Sequence, residues 1–236
     1  MTEPDHGTGP AGRVVTRREA LALFSAPAVL ALAGCLDAPS ARGGALVGSC
    51  VARPELTEGP FYVGEGPVRS DIRAGRPGVP LALAFTVSRV VDGACVPLEG
   101  AAVDVWHADA GGDYSGVGRL RDRAFCRGTQ LTDADGVARF TTVYPGWYPG
   151  RTPHVHFKVR AAASEAAAHE FTSQLFFPDD TSRAIYGEGP YAARGPHPTT
   201  NRRDGIFRRA GPEMVLDVQE AGDGYAADFS LALYAG

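Results

Sequence analysis

From residue 80 onward, apolar and polar residues alternate in short runs and do not recur at helical spacing. The runs 80–90, 101–107, 128–132, 137–143, 153–160, 171–177, 213–220 and 225–233 are the strand candidates, several with apolar residues at every second position, as expected of strands with one face on a core. Asp133-Ala134-Asp135-Gly136 separates two of them as a hairpin turn, and Gly222-Asp223-Gly224 marks another. The first of these turns is too short for an EF-hand loop and lacks its terminal glutamate. Residues 178–212, rich in Pro, Gly and Arg, read as a long loop covering the sheet. Many short strands punctuated by Gly and Pro predict an all-β fold, an antiparallel β-sandwich with long covering loops.

The N-terminal part follows different rules. Thr16-Arg17-Arg18-Glu19 opens a twin-arginine signal, and the apolar run 20–33 is too short to span a bilayer's hydrocarbon core as a helix. It ends in Leu32-Ala33-Gly34-Cys35, which matches a bacterial lipobox, so residues 1–35 read as an export signal ending at a lipidated Cys35. Residues 36–49 are small and polar and read as a tether. Apart from the alanine-rich run 161–168, residues 50–236 show no second linker, repeat or low-complexity stretch, and form one expected domain. The chain is thus expected in the cell envelope or on an outer face, held to a membrane through its anchor alone. In an oxidising compartment a Cys50–Cys95 bridge is expected, leaving Cys126 as an odd thiol. A net charge of −4 gives no footing for nucleic acid or an anionic membrane surface.

Candidate chemistry concentrates in Tyr148–His156, YPGRTPHVH. His154 and His156 are two apart on an expected strand, which sends both rings to one face. Such a pair alone is usually structural, or holds zinc or copper. No cysteine lies near it in sequence, and Tyr148, joined by Tyr114 after the strand 101–107, offers phenolic oxygen. Imidazoles with phenolates form a nitrogen and hard-oxygen set that suits Fe(III). His107 reads as structural or as support for the site, and His169 and His197 read as surface residues. Two competing readings stay open on these residues: a lipid-anchored β-sandwich binding module without catalysis, and a copper or zinc protein using His154 and His156.

Six segments, in order, resemble the intradiol ring-cleavage dioxygenases: 56–63 (LTEGPFYV), 102–116 (AVDVWHADAGGDYSG), 127–151 (RGTQLTDADGVARFTTVYPGWYPGR), 154–157 (HVHF), 172–177 (TSQLFF) and the pattern N-x-x-D-G-I-F over 201–207. The resemblance implies a β-sandwich core and a non-haem Fe(III) held by Tyr114, Tyr148, His154 and His156. It implies cleavage of a catechol-type ring with O2 between the two hydroxyl-bearing carbons, giving cis,cis-muconate-type products. Tyr148 is then the ligand that leaves as a base when substrate binds. Arg151 stabilises negative charge developing on the ring, and Gln174 stands beside it. The implied partners are the catechol, O2 and the iron, and a homo-oligomer is admitted. Ring-substituent contacts are expected from Tyr62, Val63 and Val68. The chain departs from relatives in a short Tyr148-to-His154 interval and in Ala108, where exported relatives commonly carry cysteine. The stretch from Cys35 to Glu55 is also too short for the helical N-terminal domain through which some members dimerise.

Overall fold

The computed structural model describes residues 50–161 and 170–234, which belong to one compact unit. The export signal, Cys35 and the tether lie outside the described residues, as do His169 and most of the alanine-rich run. Among the described residues, nine strands form two sheets. The first contains β1 (Pro80–Val91), β2 (Ala94–Pro97), β5 (Val137–Val143), β8 (Gln219–Ala221) and β9 (Gly224–Tyr234). The second has the order β4-β3-β6-β7, from β3 (Ala102–Trp106), β4 (Arg127–Leu131), β6 (His154–Arg160) and β7 (Glu170–Phe176). Pairing is antiparallel except between β1 and β9, which run parallel from Leu81↔Tyr225 to Val90↔Tyr234. The long strand β1 holds β5 along its first half and β2 along its second.

Period-two alternation places Leu81, Leu83, Phe85 and Val87 of β1 in one buried cluster with Val155, Phe157 and Val159 of β6 and Phe229 and Leu231 of β9. Phe85 sits at its centre, with ring centroids 5.9, 5.2 and 6.1 Å from Phe140, Phe157 and Phe229. Edge-to-face and tilted aromatic contacts of this kind add specificity to the apolar burial that holds the two sheets together.

The even-numbered residues of β6 point away from that core, yet His154 and His156 are buried as well. The cover is the extended segment 50–72. Its Leu56 N–H bonds to Thr172 O, Ser173 Oγ donates to Pro54 O, and Val68 bridges to Thr129 of β4. Two ion pairs fasten it: Lys158 to Glu58 at 2.6 Å and Arg160 to Glu65 at 2.5 Å.

Three expectations need correction. The run 213–220 is not a strand. It begins in a 3-10 turn, Gly211–Met214, and joins a ladder only at Gln219. Its apolar alternation instead packs Met214 and Leu216 while the segment crosses the edge of β7, where Leu216 N–H bonds to Phe176 O. The loop 178–212 contains α1 (Asp179–Ile185), α2 (Phe207–Ala210) and 3-10 turns at Gly189–Arg194 and Asn201–Arg203. Helices this short show no readable period; α1 carries Asp179 and Asp180 in its first turn and Arg183 in its last, which suits the helix dipole. His197 is buried, not at the surface, because this region folds back on itself and sets the ring against Tyr186. The hairpin to β2 also escaped the pattern, since four residues are too few to alternate. Its turn, Asp92-Gly93, has positive φ at both positions, as a two-residue type I′ loop requires.

Cys50 and Cys95 form a disulfide with Cα atoms 5.4 Å apart, and Cys126 is a free, buried thiol. The bridge closes a 45-residue separation and ties the start of the covering segment to β2. Restricting the unfolded chain over such a loop contributes roughly 2–4 kcal/mol. Replacing both cysteines by serine is expected to lower the midpoint of thermal unfolding by roughly 5–15 °C, as calorimetry would read; an unchanged midpoint would show that the bridge contributes nothing.

Candidate metal centre

Three backbone segments bring the donors together. β6 supplies His154 and His156, with His156 opposite Trp106 of β3 and Gln174 of β7 in the ladder. The loop after β3 supplies Tyr114. It is pinned by Asp109, whose Oδ1 accepts the N–H groups of Gly111 and Asp113 and whose Oδ2 pairs with Arg76. The turn before β6 supplies Tyr148 and Arg151. These two loops pack backbone to backbone: a Cβ on Gly112 would lie 2.3 Å from Trp147 O, and one on Gly146 would lie 2.4 Å from Asp109 O. Glycine is therefore required at both positions for the phenols to meet.

The four donor atoms converge. Tyr114 and Tyr148 each place a hydroxyl 3.2 Å from His154 Nε2, and His156 Nε2 is 3.1 Å from the same atom. Arg151 Nη1 lies 3.3 Å from it. His154 Nδ1 is 2.7 Å from the carbonyl of Thr152, which can only accept, so Nδ1 carries the proton and Nε2 presents a lone pair. Burial first, and then the charge of Arg151, push His154 down to about 3; burial and the neighbouring His154 hold His156 well below its usual range. Both rings are neutral near pH 7. Burial likewise raises both phenols, against which Arg151 works in each case.

One imidazole lone pair thus faces two hydroxyls, a second imidazole and a guanidinium, more groups than it can satisfy. A single cation resolves the crowding. Donors bound to one ion at about 2 Å stand about 3 Å from one another, which is the spacing found, and a cation would draw the protons from the raised phenols. Among the described residues no group of three or more His, Cys, Asp or Glu is placed to hold a metal. A metal at the two histidines would therefore need tyrosine oxygen, a hard-ligand contribution that suits a ferric ion better than a soft one.

The surroundings hold these groups in place. Trp106 stacks on His156, ring centroids 5.1 Å apart and planes within 9°. Gly59, at φ +73°, lies against His156 Cε1. Gln174 is fully buried; its Oε1 accepts Arg151 Nη2–H and its Nε2 donates to Thr57 O. Arg127, also buried, donates to Ser115 Oγ, Ser115 O and Phe61 O, joining the Tyr114 loop to the covering segment. His107 stands apart from the cluster, bonded to Thr142 Oγ1 and Ala108 O, where burial lowers it to about 4.

A cavity of about 270 Å³ opens beside the phenols, walled by Phe61, Tyr114, Val117, Leu120 and Tyr148. Phe61 stacks on Tyr114 at 4.3 Å and meets Tyr148 edge-on. Tyr62, Val63 and Val68 do not line it. Successive residues of an extended segment face opposite ways, so Tyr62 turns to the sheet, where its hydroxyl donates to Asp104 and its ring packs on Trp106. Val63 is 48% and Val68 78% exposed. Phe61 was therefore missed, although it sits one residue before Tyr62 in the same motif. Asp204 was missed too: it is fully buried and accepts Arg151 Nε–H at 2.8 Å, and the pattern N-x-x-D was its signal in the sequence.

A family model described as a dioxygenase matches residues 57–229. The chain is 30% identical over 194 residues to the protocatechuate 3,4-dioxygenase beta chain of Burkholderia cepacia, an alignment covering 74% of this chain and 76% of that one. It is 31% identical over 141 residues to the chlorocatechol 1,2-dioxygenase of Cupriavidus pinatubonensis, covering 51% of this chain and spanning 52% of that relative's length. Among solved structures, an intradiol ring-cleavage dioxygenase from Tetranychus urticae superposes with a TM-score of 0.69 at 33% identity, covering 78% of this chain and 94% of that one. The chain belongs to the intradiol ring-cleavage dioxygenase family of oxidoreductases.

Proposed function

We propose that this chain is a non-haem Fe(III) dioxygenase that cleaves catechol-type substrates between the two hydroxyl-bearing carbons, with both atoms of O2 entering a cis,cis-muconate-type product. The observation that carries this reading is the meeting of two phenol oxygens and two imidazole Nε2 atoms around one point, with Arg151 at its edge. Tyr114, Tyr148, His154 and His156 would hold the metal, which when bound would supply Lewis acidity toward the diol.

The roles of the chain's own groups follow from their placement. The Thr152 carbonyl fixes the His154 ring, and Trp106 stacks on His156, which supports the imidazoles as the ligands that would stay in place. Tyr148 is less buried than Tyr114 and lies within reach of Arg151 Nη1, which makes it the phenolate able to swing away and take a proton from the incoming diol. Arg151 stabilises negative charge as it develops on the ring, its guanidinium held beside Tyr148 and His154 by Asp204 and Gln174. At the rim Arg119 is paired with Asp113 at 2.8 Å. The twin-arginine pair and the lipobox support an exported enzyme anchored through Cys35.

Iron-loaded protein is expected to be red-brown from phenolate-to-ferric charge transfer, with a visible band that shifts when catechol is added without oxygen. Tyr114→Phe and His156→Ala should each lower iron affinity about tenfold or more, with the visible band falling as iron is lost; a wild-type protein that stays colourless after iron loading would sink the reading. Arg151→Ala should retain iron and colour while kcat for oxygen uptake falls about 10²–10³-fold, and normal turnover would remove the role given to it. In cells, Cys35→Ala should move the protein from the membrane pellet to the soluble fraction; unchanged partitioning would exclude the lipid anchor.

A further inference from the structure

The segment from Asn201 to Phe207 contributes no donor to the metal cluster, yet it grips the residues that do. Oδ2 of the fully buried Asp204 accepts Arg151 Nε–H at 2.8 Å and the Thr152 backbone N–H at 3.0 Å. Its Oδ1 accepts the backbone N–H groups of Ile206 at 2.7 Å and Phe207 at 3.2 Å. Four donors converge on one side chain, two on each oxygen. Only a carboxylate can accept on both sides; an asparagine has one acceptor oxygen and would oppose two of these N–H groups with its own NH2.

The bonds to Ile206 and Phe207 anchor the carboxylate to the start of α2, so it is a fixed point for whatever binds it. Arg151 meets it through Nε alone, not through a two-nitrogen fork. Both terminal nitrogens are therefore free to face elsewhere. Nη2 donates to Gln174 Oε1, and Nη1 is left 3.4 Å from the Tyr148 hydroxyl and 3.3 Å from His154 Nε2. Since a guanidinium is planar, fixing Nε on one side and Nη2 on the other fixes the direction of Nη1. Asn201 steadies the same stretch: its Oδ1 accepts Thr152 Oγ1–H at 2.8 Å, and its Nδ2 donates to Phe177 O at 2.7 Å.

We infer that Asp204 is a positioning residue that aims Arg151 at the substrate face of the donor cluster. The inference rests on the function proposed above. Asp204 bonds to none of the four donor side chains; it also holds the Thr152 N–H, so retention of iron in Asp204→Asn separates its action through the guanidinium from support of His154.

The test compares Asp204→Asn with wild type, alone and combined with Arg151→Ala. In iron-loaded protein the single variant should keep its iron, its visible band and the anaerobic catechol-induced shift, while kcat falls about 10–100-fold and KM changes less. In the Arg151→Ala background Asp204→Asn should cause no further loss, because the group it acts through is gone. In iron-free protein, exchange of the Arg151 Nε–H with water, read by 1H–15N NMR, should be about tenfold faster or more in Asp204→Asn. Three results overturn the inference: a kcat within about twofold of wild type, an undiminished further loss in the Arg151→Ala background, or iron loss as severe as in His156→Ala. Where Asp204→Asn does not fold, Asp204→Glu keeps the charge but displaces it by one methylene, and the same exchange and kcat measurements decide. A wild-type protein that binds no iron and consumes no oxygen with any catechol defeats the functional reading instead, and the Nε exchange still tests the Asp204–Arg151 contact.

Discussion

β6 is buried on both faces, and most of the molecule is arranged to make that tolerable. Its odd-numbered residues fill the sandwich core, while of the even-numbered ones His156, Lys158 and Arg160 meet the segment 50–72 and His154 lies against Tyr114, Tyr148 and Arg151. Polar groups removed from water must find partners. Lys158 finds Glu58, Arg160 finds Asp104 and Glu65, and Asp104 also accepts from Thr129 and Tyr62. The covering segment is held down by charges of the strand it covers. Toward the other end of the strand the two imidazoles have no such carboxylates, and the groups that reach them are phenols.

That difference along one strand separates a fastening from a site. Where acids meet Lys158 and Arg160, both cations are paired with carboxylates and the covering segment is fixed to the strand. At His154 and His156 the surroundings are neutral donors together with two guanidiniums, Arg151 and Arg127. Arg151 is balanced by the buried Asp204, whose carboxyl is held below its usual range: burial pushes it up, but the Thr152 N–H and Arg151 outweigh that. Arg127 gives its hydrogen bonds to neutral oxygens, and among the described residues no carboxylate pairs with it near Tyr114. Such a setting favours negative charge arriving on phenol oxygen or on a bound diol.

Much of this was legible along the chain. Period-two alternation located the strands that line the core because each is long enough to repeat, as in 137–143, which the structure reproduces residue for residue as β5. It failed where alternation arose without a ladder, at 213–220, and where an element was too short to show a period, as in β2, α1 and α2. Tyr62 and Val63 were read as pocket residues while the intervening geometry gave that place to Phe61, because the facing of an extended segment is set by the sheet it lies on, not by its own composition.

The sequence by itself determined the strand-forming pattern, the same-face placement of His154 and His156, and the residue types able to form a nitrogen and hard-oxygen donor set. These follow from local periodicity and side-chain chemistry, which the order of residues contains. Only the tertiary structure decided that Tyr114 and Tyr148 converge on His154, that Phe61 walls the cavity, and that Asp204, 53 positions away along the chain, holds Arg151. Those contacts join segments through glycine-permitted backbone approaches and shared buried carboxylates, and no local pattern encodes which distant segments will meet.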